Sequence, residues 1–340
     1  MARIVTFDAL GGPEMLQLRD RDLPPPGPGE ALVEVRAAGL NRAELLFLGG
    51  RYLVEPRLPG ARLGVEGAGI VRAVGEGVQE VAIGDRVAIL PSIPMQETGV
   101  LGEATIVPAS ALVPIPEGKS FQEAAAFWMA YGTAWGMMVQ AGRLEAGQTV
   151  LVTGASSSVG IAAFQVARDF GATVIATTRG PGKVEALKDA GAHHVIVTDE
   201  EDLADRAREI TEGRGVDLVC DAIGGPMVQA LAAATADGGR IVLMGLQSGE
   251  IPKMPFYDLL GRGLTLTGFH LVWHLLDRPD ARRAAVAALV EGWRAGTLTP
   301  VIDQTFPLER VAEAYDRMAS NAQVGKIVVT MERQSPDAAD

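Results

Sequence analysis

The stretch Thr149 to Arg179, TVLVTGASSSVGIAAFQVARDFGATVIATTR, decides the fold. It predicts a buried strand over residues 149–153, a turn of small residues over 154–160, a helix to about Phe170 and a second strand over 172–177. The turn is Gly154, Ala155, Ser156, Ser157, Ser158, Val159 and Gly160. Gly, Ala and Ser lack bulk, so a pyrophosphate can approach the amides at the following helix N-terminus, where the helix dipole favours an anion. This is the outline of a β-α-β dinucleotide site. Against the pattern G-x-G-x-x-G the small positions are Ala155, Ser157 and Gly160, so only the last glycine is kept. A tight turn that binds nothing is the competing reading. The strand before, the helix after and the second strand on schedule favour a nucleotide.

The end of the second strand carries Thr177, Thr178 and Arg179, with Lys183 one helical turn further on. A carboxylate at this place accepts hydrogen bonds from the adenosine ribose of NAD and would repel a 2′-phosphate. A guanidinium and an ammonium would instead pair with that phosphate, and threonine hydroxyls would donate to its oxygens. These residues predict NADP(H) over NAD(H). Ordinary solvated charges at a helix start are the alternative.

At 340 residues the chain exceeds one ordinary core, and two domains are expected. Hydrophobic residues at 48% and charged residues at 21% predict a soluble globular protein. A formal net charge of −12 argues against nucleic acid or an anionic membrane as a partner. No apolar run approaches the roughly 20 residues that cross a bilayer. The opening MARIVTFDAL reads directly as a strand, without the regions of a signal peptide, so a cytoplasmic location is expected. The one cysteine, Cys220, excludes an internal disulfide and a Cys-based structural zinc site. It lies inside the apolar strand GVDLVCDAIGG and reads as a buried, inert thiol.

From Arg3 to Ile115 short alternating strands are separated by Gly and Pro turns, which predicts an all-β, barrel-like unit. Val33, Val35 and Ala37 alternate with Glu34 and Arg36, and a helix interrupts at about residues 42–48. The loop GGRYLVEPRLPGARLG follows and carries Tyr52. Beyond Pro116 the period changes to a helix over about 120–141 and then to strands alternating with helices. Strands are expected near 194–197, 217–221, 240–244 and 264–268, with helices near 183–190, 202–211 and 226–236. Six strands with crossover helices make a doubly wound sheet. Further on, Val286, Leu289, Val290 and Trp293 lie at helical spacing, as do Leu308, Val311, Ala312 and Tyr315, before a terminal strand GKIVVTM.

The order AAGLNRAELLFLGGRY, LGVEGAGIVRAVGEGV, GDRVAIL, EAAAFWMAYGTAW, VLVTGASSSVGIAA and GVDLVCDAIGG resembles the medium-chain dehydrogenase/reductase superfamily over nearly the whole chain. Within it the chain is most similar to the zinc-free quinone oxidoreductase and enoyl-reductase branch. The resemblance implies an α/β protein: a GroES-like β-barrel catalytic domain built from both chain ends, a Rossmann doubly wound parallel sheet between them, and an active site in the cleft. The corresponding ranges are 1–123 and 271–332 for the catalytic domain, 124–270 for the NADP(H)-binding domain, and a polar tail at 333–340. It also implies a homodimer formed by pairing the last Rossmann strands, here near 264–268.

The zinc-dependent branch places a cysteine where this chain has Asn41, a histidine where it has Val65 and a cysteine near Met129, and it carries a four-cysteine cluster absent between Val87 and Glu103. Zinc wants nitrogen and sulfur ligands converging in a tetrahedron, so no metal is expected. Without a Lewis acid, alcohol oxidation is hard, whereas a quinone or an alkene conjugated to a carbonyl is reduced more readily, its developing charge met by hydrogen bonds and a proton donor. The expectation is hydride transfer to a small electrophilic acceptor. Reduction of an enoyl thioester, with Arg42, Arg51, Arg57 and Arg62 as candidate carrier contacts, and a non-catalytic NADPH-binding role are the alternatives.

Tyr52 matches the tyrosine assigned as proton donor in enoyl reductases of the branch, and a tyrosine that anchors its Gly-rich loop by packing is the other reading. Asn41 resembles an asparagine that contacts the nicotinamide or substrate carbonyl, and with Glu44 it also forms a plausible capping box. Thr133 matches a position near the nicotinamide ribose, or is a helix hydroxyl bonded to its own preceding turn. By resemblance Ile223, Gly245, Leu246, Phe269, His270 and Lys326 line the cofactor or the cleft. His270 and His274 could serve as acids, or pack near the dimer strand. Glu66 is expected to be structural.

Overall fold

A computed structural model describes residues 1–91 and 95–331 of the chain, so the tail expected at 333–340 lies outside the described residues. Two compact units divide the chain: Met1–Met129 together with the chain from Pro300 onward, and Ala130–Thr299.

The first unit is built on the strand Glu30–Gly39, whose alternation is the expected one: Val33, Val35 and Ala37 are buried while Glu34 and Arg36 are half-buried. Glu66–Val74 pairs antiparallel along one side. The other side is shared, with Ala104–Pro108 on the first half and Lys326–Thr330 on the second. Arg86–Ile89 and Leu112–Pro114 extend the sheet one way, and Ile302–Pro307, parallel to Lys326–Thr330, extends it the other. A small second sheet joins Gln17–Arg21, Ala2–Phe7 and Ala61–Arg62. Between these layers Phe7 meets Phe47 edge to face, with centroids 5.9 Å apart, and Tyr315 is fully buried.

The second unit is a six-stranded parallel sheet in the order His194–Val197, Thr173–Thr178, Thr149–Val152, Val216–Asp221, Thr235–Leu243, Thr265–Gly268. Its direction of growth reverses between Thr149–Val152 and Val216–Asp221, and the carboxyl ends of strands at such a reversal are where open α/β sheets bind ligands. The helix Ser158–Asp169 starts where Ser157 Oγ accepts the Gly160 N–H at 3.1 Å. It buries Ile161, Phe164 and Val166 and ends before Gly171, which supplies φ +62°.

Three expectations change. The single helix over 120–141 is broken into Phe121–Ala125, Trp128–Trp135 and a π-helical turn Gly136–Ala141. The physical reason lies in Glu66, whose Oε2 accepts the Met129 N–H at 2.8 Å, the amide an unbroken helix would aim at residue 125. The carbonyl of Ala125 lies against Gly39, where an added Cβ would sit 2.1 Å from it. The helix expected to reach 236 stops at Ala234, where the Thr235 hydroxyl donates to the Leu231 carbonyl at 2.7 Å and the backbone turns extended into the next strand. Finally, the second unit does not close at 270. It takes in the helix Pro279–Ala295, with Leu289 and Trp293 buried, and the turn residues 296–299 after it. Gln165 Oε1 accepts the Thr299 N–H at 2.7 Å and Arg168 donates to the Thr297 carbonyl at 2.5 Å.

Candidate functional site

In the first unit a buried polar cluster forms where the strand Glu30–Gly39 gives way to the helix Arg42–Leu48. Glu44 reaches back to accept the Asn41 N–H at 2.9 Å, the carboxylate half of the expected capping box. The same carboxylate accepts the Val65 N–H at 3.1 Å and the Tyr315 hydroxyl at 2.8 Å. It is wholly buried, and that burial pushes Glu44 up to about 7 against the pull of its hydrogen bonds. Burial likewise pushes the Tyr52 phenol up to about 12, with the charge of Glu44 as the second cause. Tyr52 is half-buried and packs against the core of this unit.

Asn41 spends its amide inside the protein. Nδ2 donates to the Gly39 carbonyl at 3.0 Å and to Glu66 Oε1 at 3.2 Å, while Oδ1 accepts from Lys326 Nζ at 2.7 Å. Lys326 also pairs with Glu66, the two side chains being 2% and 0% exposed. Asn41 and Lys326, both expected at the cofactor or the cleft, are thus joined to one another and to Glu66. Glu66 holds both the ion pair and the Met129 amide near the start of the following helix. Gly39 makes room for the lysine, since an added Cβ would lie 2.7 Å from Lys326 Cε.

The donor set at this place does not fit zinc. Asn41 and Val65 stand where the resemblance puts two zinc ligands, with the third near Met129, and the Asn41 oxygen already holds an ammonium. Among the described residues no group of three or more His, Cys, Asp or Glu could hold a metal ion.

In the second unit the turn over residues 154–160 leads into the helix Ser158–Asp169. Gly154 adopts φ +57°, and a Cβ on Gly160 would lie 2.3 Å from the Ala155 carbonyl oxygen, so the last position of the pattern must be glycine. Ser158 and Val159 open the helix, half-buried, and Ala155 is buried. Lys183 Nζ donates to Ser156 Oγ at 3.0 Å, which brings a cation from the second strand's end onto the turn itself. Arg179 is exposed, Thr178 donates to the Gly180 carbonyl at 3.1 Å and Thr177 is buried. These features fit a dinucleotide whose phosphates meet the turn.

The remaining expected residues of this unit fall into two groups. Ile223, Gly245 and Leu246 lie half-buried on loops beyond the strands Val216–Asp221 and Thr235–Leu243. Phe269 is buried with its ring against Gly136, and Thr133 is buried on the helix Trp128–Trp135. His270 stacks on Trp273 at 4.3 Å between centroids, and its Nδ1 accepts the Trp273 N–H at 3.4 Å. Burial pulls its pKa down, with the neighbouring His274 as a second cause.

Sequence reasoning missed Asp221, Thr153, Tyr315 and the buried state of Glu44. The signal for Asp221 was available: an acid closing a strand whose preceding residues Leu218, Val219 and Cys220 are all apolar.

A Rossmann sheet with a phosphate turn, joined to a GroES-like barrel, defines a nicotinamide-nucleotide-dependent oxidoreductase. Residues 27–117 match the alcohol dehydrogenase GroES-like domain and residues 158–289 the zinc-binding dehydrogenase domain. The chain is 32% identical to a quinone oxidoreductase of Pseudomonas aeruginosa over 97% of its own length and 99% of the relative's. Among solved structures it is similar to Escherichia coli quinone oxidoreductase complexed with NADPH, with a TM-score of 0.89, 28% identity and coverage of 97% and 100%. It is also similar to an NAD-dependent alcohol dehydrogenase, with a TM-score of 0.87, 33% identity and the same coverage. The chain belongs to the medium-chain dehydrogenase/reductase superfamily, in its quinone oxidoreductase branch.

Proposed function

We propose that the chain is a metal-independent, NADPH-dependent reductase that delivers hydride to a quinone or an α,β-unsaturated carbonyl. The observation that carries the nucleotide choice is the Lys183 to Ser156 hydrogen bond beside an exposed Arg179, which gathers positive charge where a 2′-phosphate would lie. The E. coli relative bound to NADPH supports the same choice. The relative described as NAD-dependent makes the comparison worth measuring. Titration calorimetry should give much tighter binding of NADPH than of NADH, and equal affinities would remove the phosphate argument.

When bound, the nicotinamide supplies the hydride. The chain's part is to hold the nucleotide through the turn 154–160 and to meet charge developing on the acceptor oxygen. Tyr52 keeps its proton across the neutral range, since burial holds it near 12, and so remains a hydrogen-bond donor to that oxygen. Changing Tyr52→Phe should lower turnover with a quinone panel while leaving NADPH affinity intact. Unchanged turnover on every acceptor would end its catalytic role, and no NADPH oxidation by the unaltered protein would favour a non-catalytic nucleotide-binding role.

The enoyl-thioester reading finds less support. Arg42 spends its guanidinium on the Met318 carbonyl and Asn321, and Arg62 on the Gly99 carbonyl and Thr105. The proposal includes a cytoplasmic homodimer. Thr265–Gly268 is the edge of its sheet, and Ile251, Met254, Phe256, Tyr257 and Leu260 just before it are exposed. Light scattering during gel filtration should give twice the monomer mass, and a monomer at micromolar concentration would refute this part.

A further inference from the structure

Where the sheet of the second unit reverses its order, a hydroxyl and a carboxylate take hold of three successive backbone amides. Thr153 Oγ1 donates to Asp221 Oδ1 at 2.5 Å and accepts the Ala222 N–H at 2.9 Å. Asp221 Oδ1 also accepts the Ile223 N–H, and Oδ2 the Gly224 N–H, both at 2.9 Å. The Thr153 N–H returns to the Cys220 carbonyl at 3.1 Å. Both side chains are buried, Thr153 at 2% and Asp221 at 0% exposure. The chain can follow these bonds because Gly224 and Gly225 adopt φ +65° and +60°.

A second loop hangs on the first. Met244, Gln247 and Ser248 donate their N–H groups to the carbonyls of Asp221, Ala222 and Ile223 at 2.9, 3.2 and 3.0 Å. Gly245 packs so closely that an added Cβ would lie 2.6 Å from the Ala222 oxygen. Two buried polar side chains thus set one course for both loops that carry Ile223, Gly245 and Leu246. Burying a carboxylate is costly and adds little stability compared with apolar packing. A fixed loop course at the ligand end of the sheet is what the arrangement provides.

We propose that Thr153 and Asp221 are positioning residues for the dinucleotide, acting through the 222–224 and 244–248 loops. This rests on the nucleotide reading above. Thr153→Val keeps the shape and removes the hydroxyl that joins the Ala222 amide to Asp221, whereas Thr153→Ser keeps it. NADPH affinity, read by fluorescence titration of the full chain, should fall about tenfold in Thr153→Val, a change equivalent to about 1.4 kcal/mol. It should return to within about twofold of the original in Thr153→Ser. Amide exchange over 222–224 should quicken in the valine variant alone. Asp221→Asn, which turns one acceptor oxygen into a donor, should weaken binding similarly and serves if Thr153→Val does not fold. A role in stability alone would lower the melting temperature and leave the affinity of the folded protein unchanged, and that result overturns the proposal. Failure of the serine variant to restore affinity overturns it too. If the unaltered protein binds neither NADPH nor NADH, the nucleotide reading falls and the clamp's ligand with it.

Discussion

Replacing Lys326 by Met tests the buried cluster of the first unit most directly. Methionine keeps most of the apolar stem and removes the charge, leaving the Glu66 carboxylate, at 0% exposure, facing neutral donors from Asn41 and Met129. Removing one partner of a buried pair costs about 3–5 kcal/mol, a large part of the roughly 5–15 kcal/mol that holds an ordinary domain. Urea unfolding followed by circular dichroism at pH 8 should show a large deficit in Lys326→Met. Adding Glu66→Gln should recover at least about half of the loss, because no uncompensated charge remains. A deficit below about 1 kcal/mol, or one that Glu66→Gln does not relieve, would refute the reasoning.

Glu44 carries its own pH signature. Its folded value of about 7 lies above the usual 4.5, so its contribution is complete below pH 4.5 and is lost as the pH rises through 7. At about 1.36 kcal/mol per pH unit the loss is on the order of 3 kcal/mol, and Glu44→Gln should flatten the stability profile over that window; parallel profiles would contradict this. Cys220, buried with its thiol pushed up to about 12, should resist iodoacetamide at pH 8 until denaturant is added, and rapid labelling of the native protein would count against the burial. Gly160→Ala drives a Cβ toward the Ala155 carbonyl and should weaken NADPH binding by about tenfold or more, whereas unchanged affinity would refute the need for close backbone approach.

The doubly wound sheet was readable because its strands are continuous apolar runs between Gly-rich turns, and four of its small turn residues precede a helix with a regular buried face. The alternation of Val33 to Ala37 placed the barrel's central strand for the same kind of reason. What escaped depends on partners far away in sequence. Nothing local says that Glu66 will take the Met129 amide and break a helix, or that Lys326 will turn inward to Asn41, 285 positions earlier. The domain boundary at Thr299 escaped likewise, since a helix with apolar residues at regular spacing does not declare which unit its buried face will join. Thr153 and Asp221 looked like strand residues, and their hold on three amides appears only once the two strands lie side by side.

The first unit is assembled from both ends of the chain, with Lys326–Thr330 seated against Glu30–Gly39. During synthesis the contiguous second unit emerges whole and can fold while the ribosome is still at work. Glu66 and Asn41, made early, must wait for a lysine that follows 260 positions after Glu66. Until that strand is released the Glu66 carboxylate stays in water, and the sheet that encloses it cannot be completed.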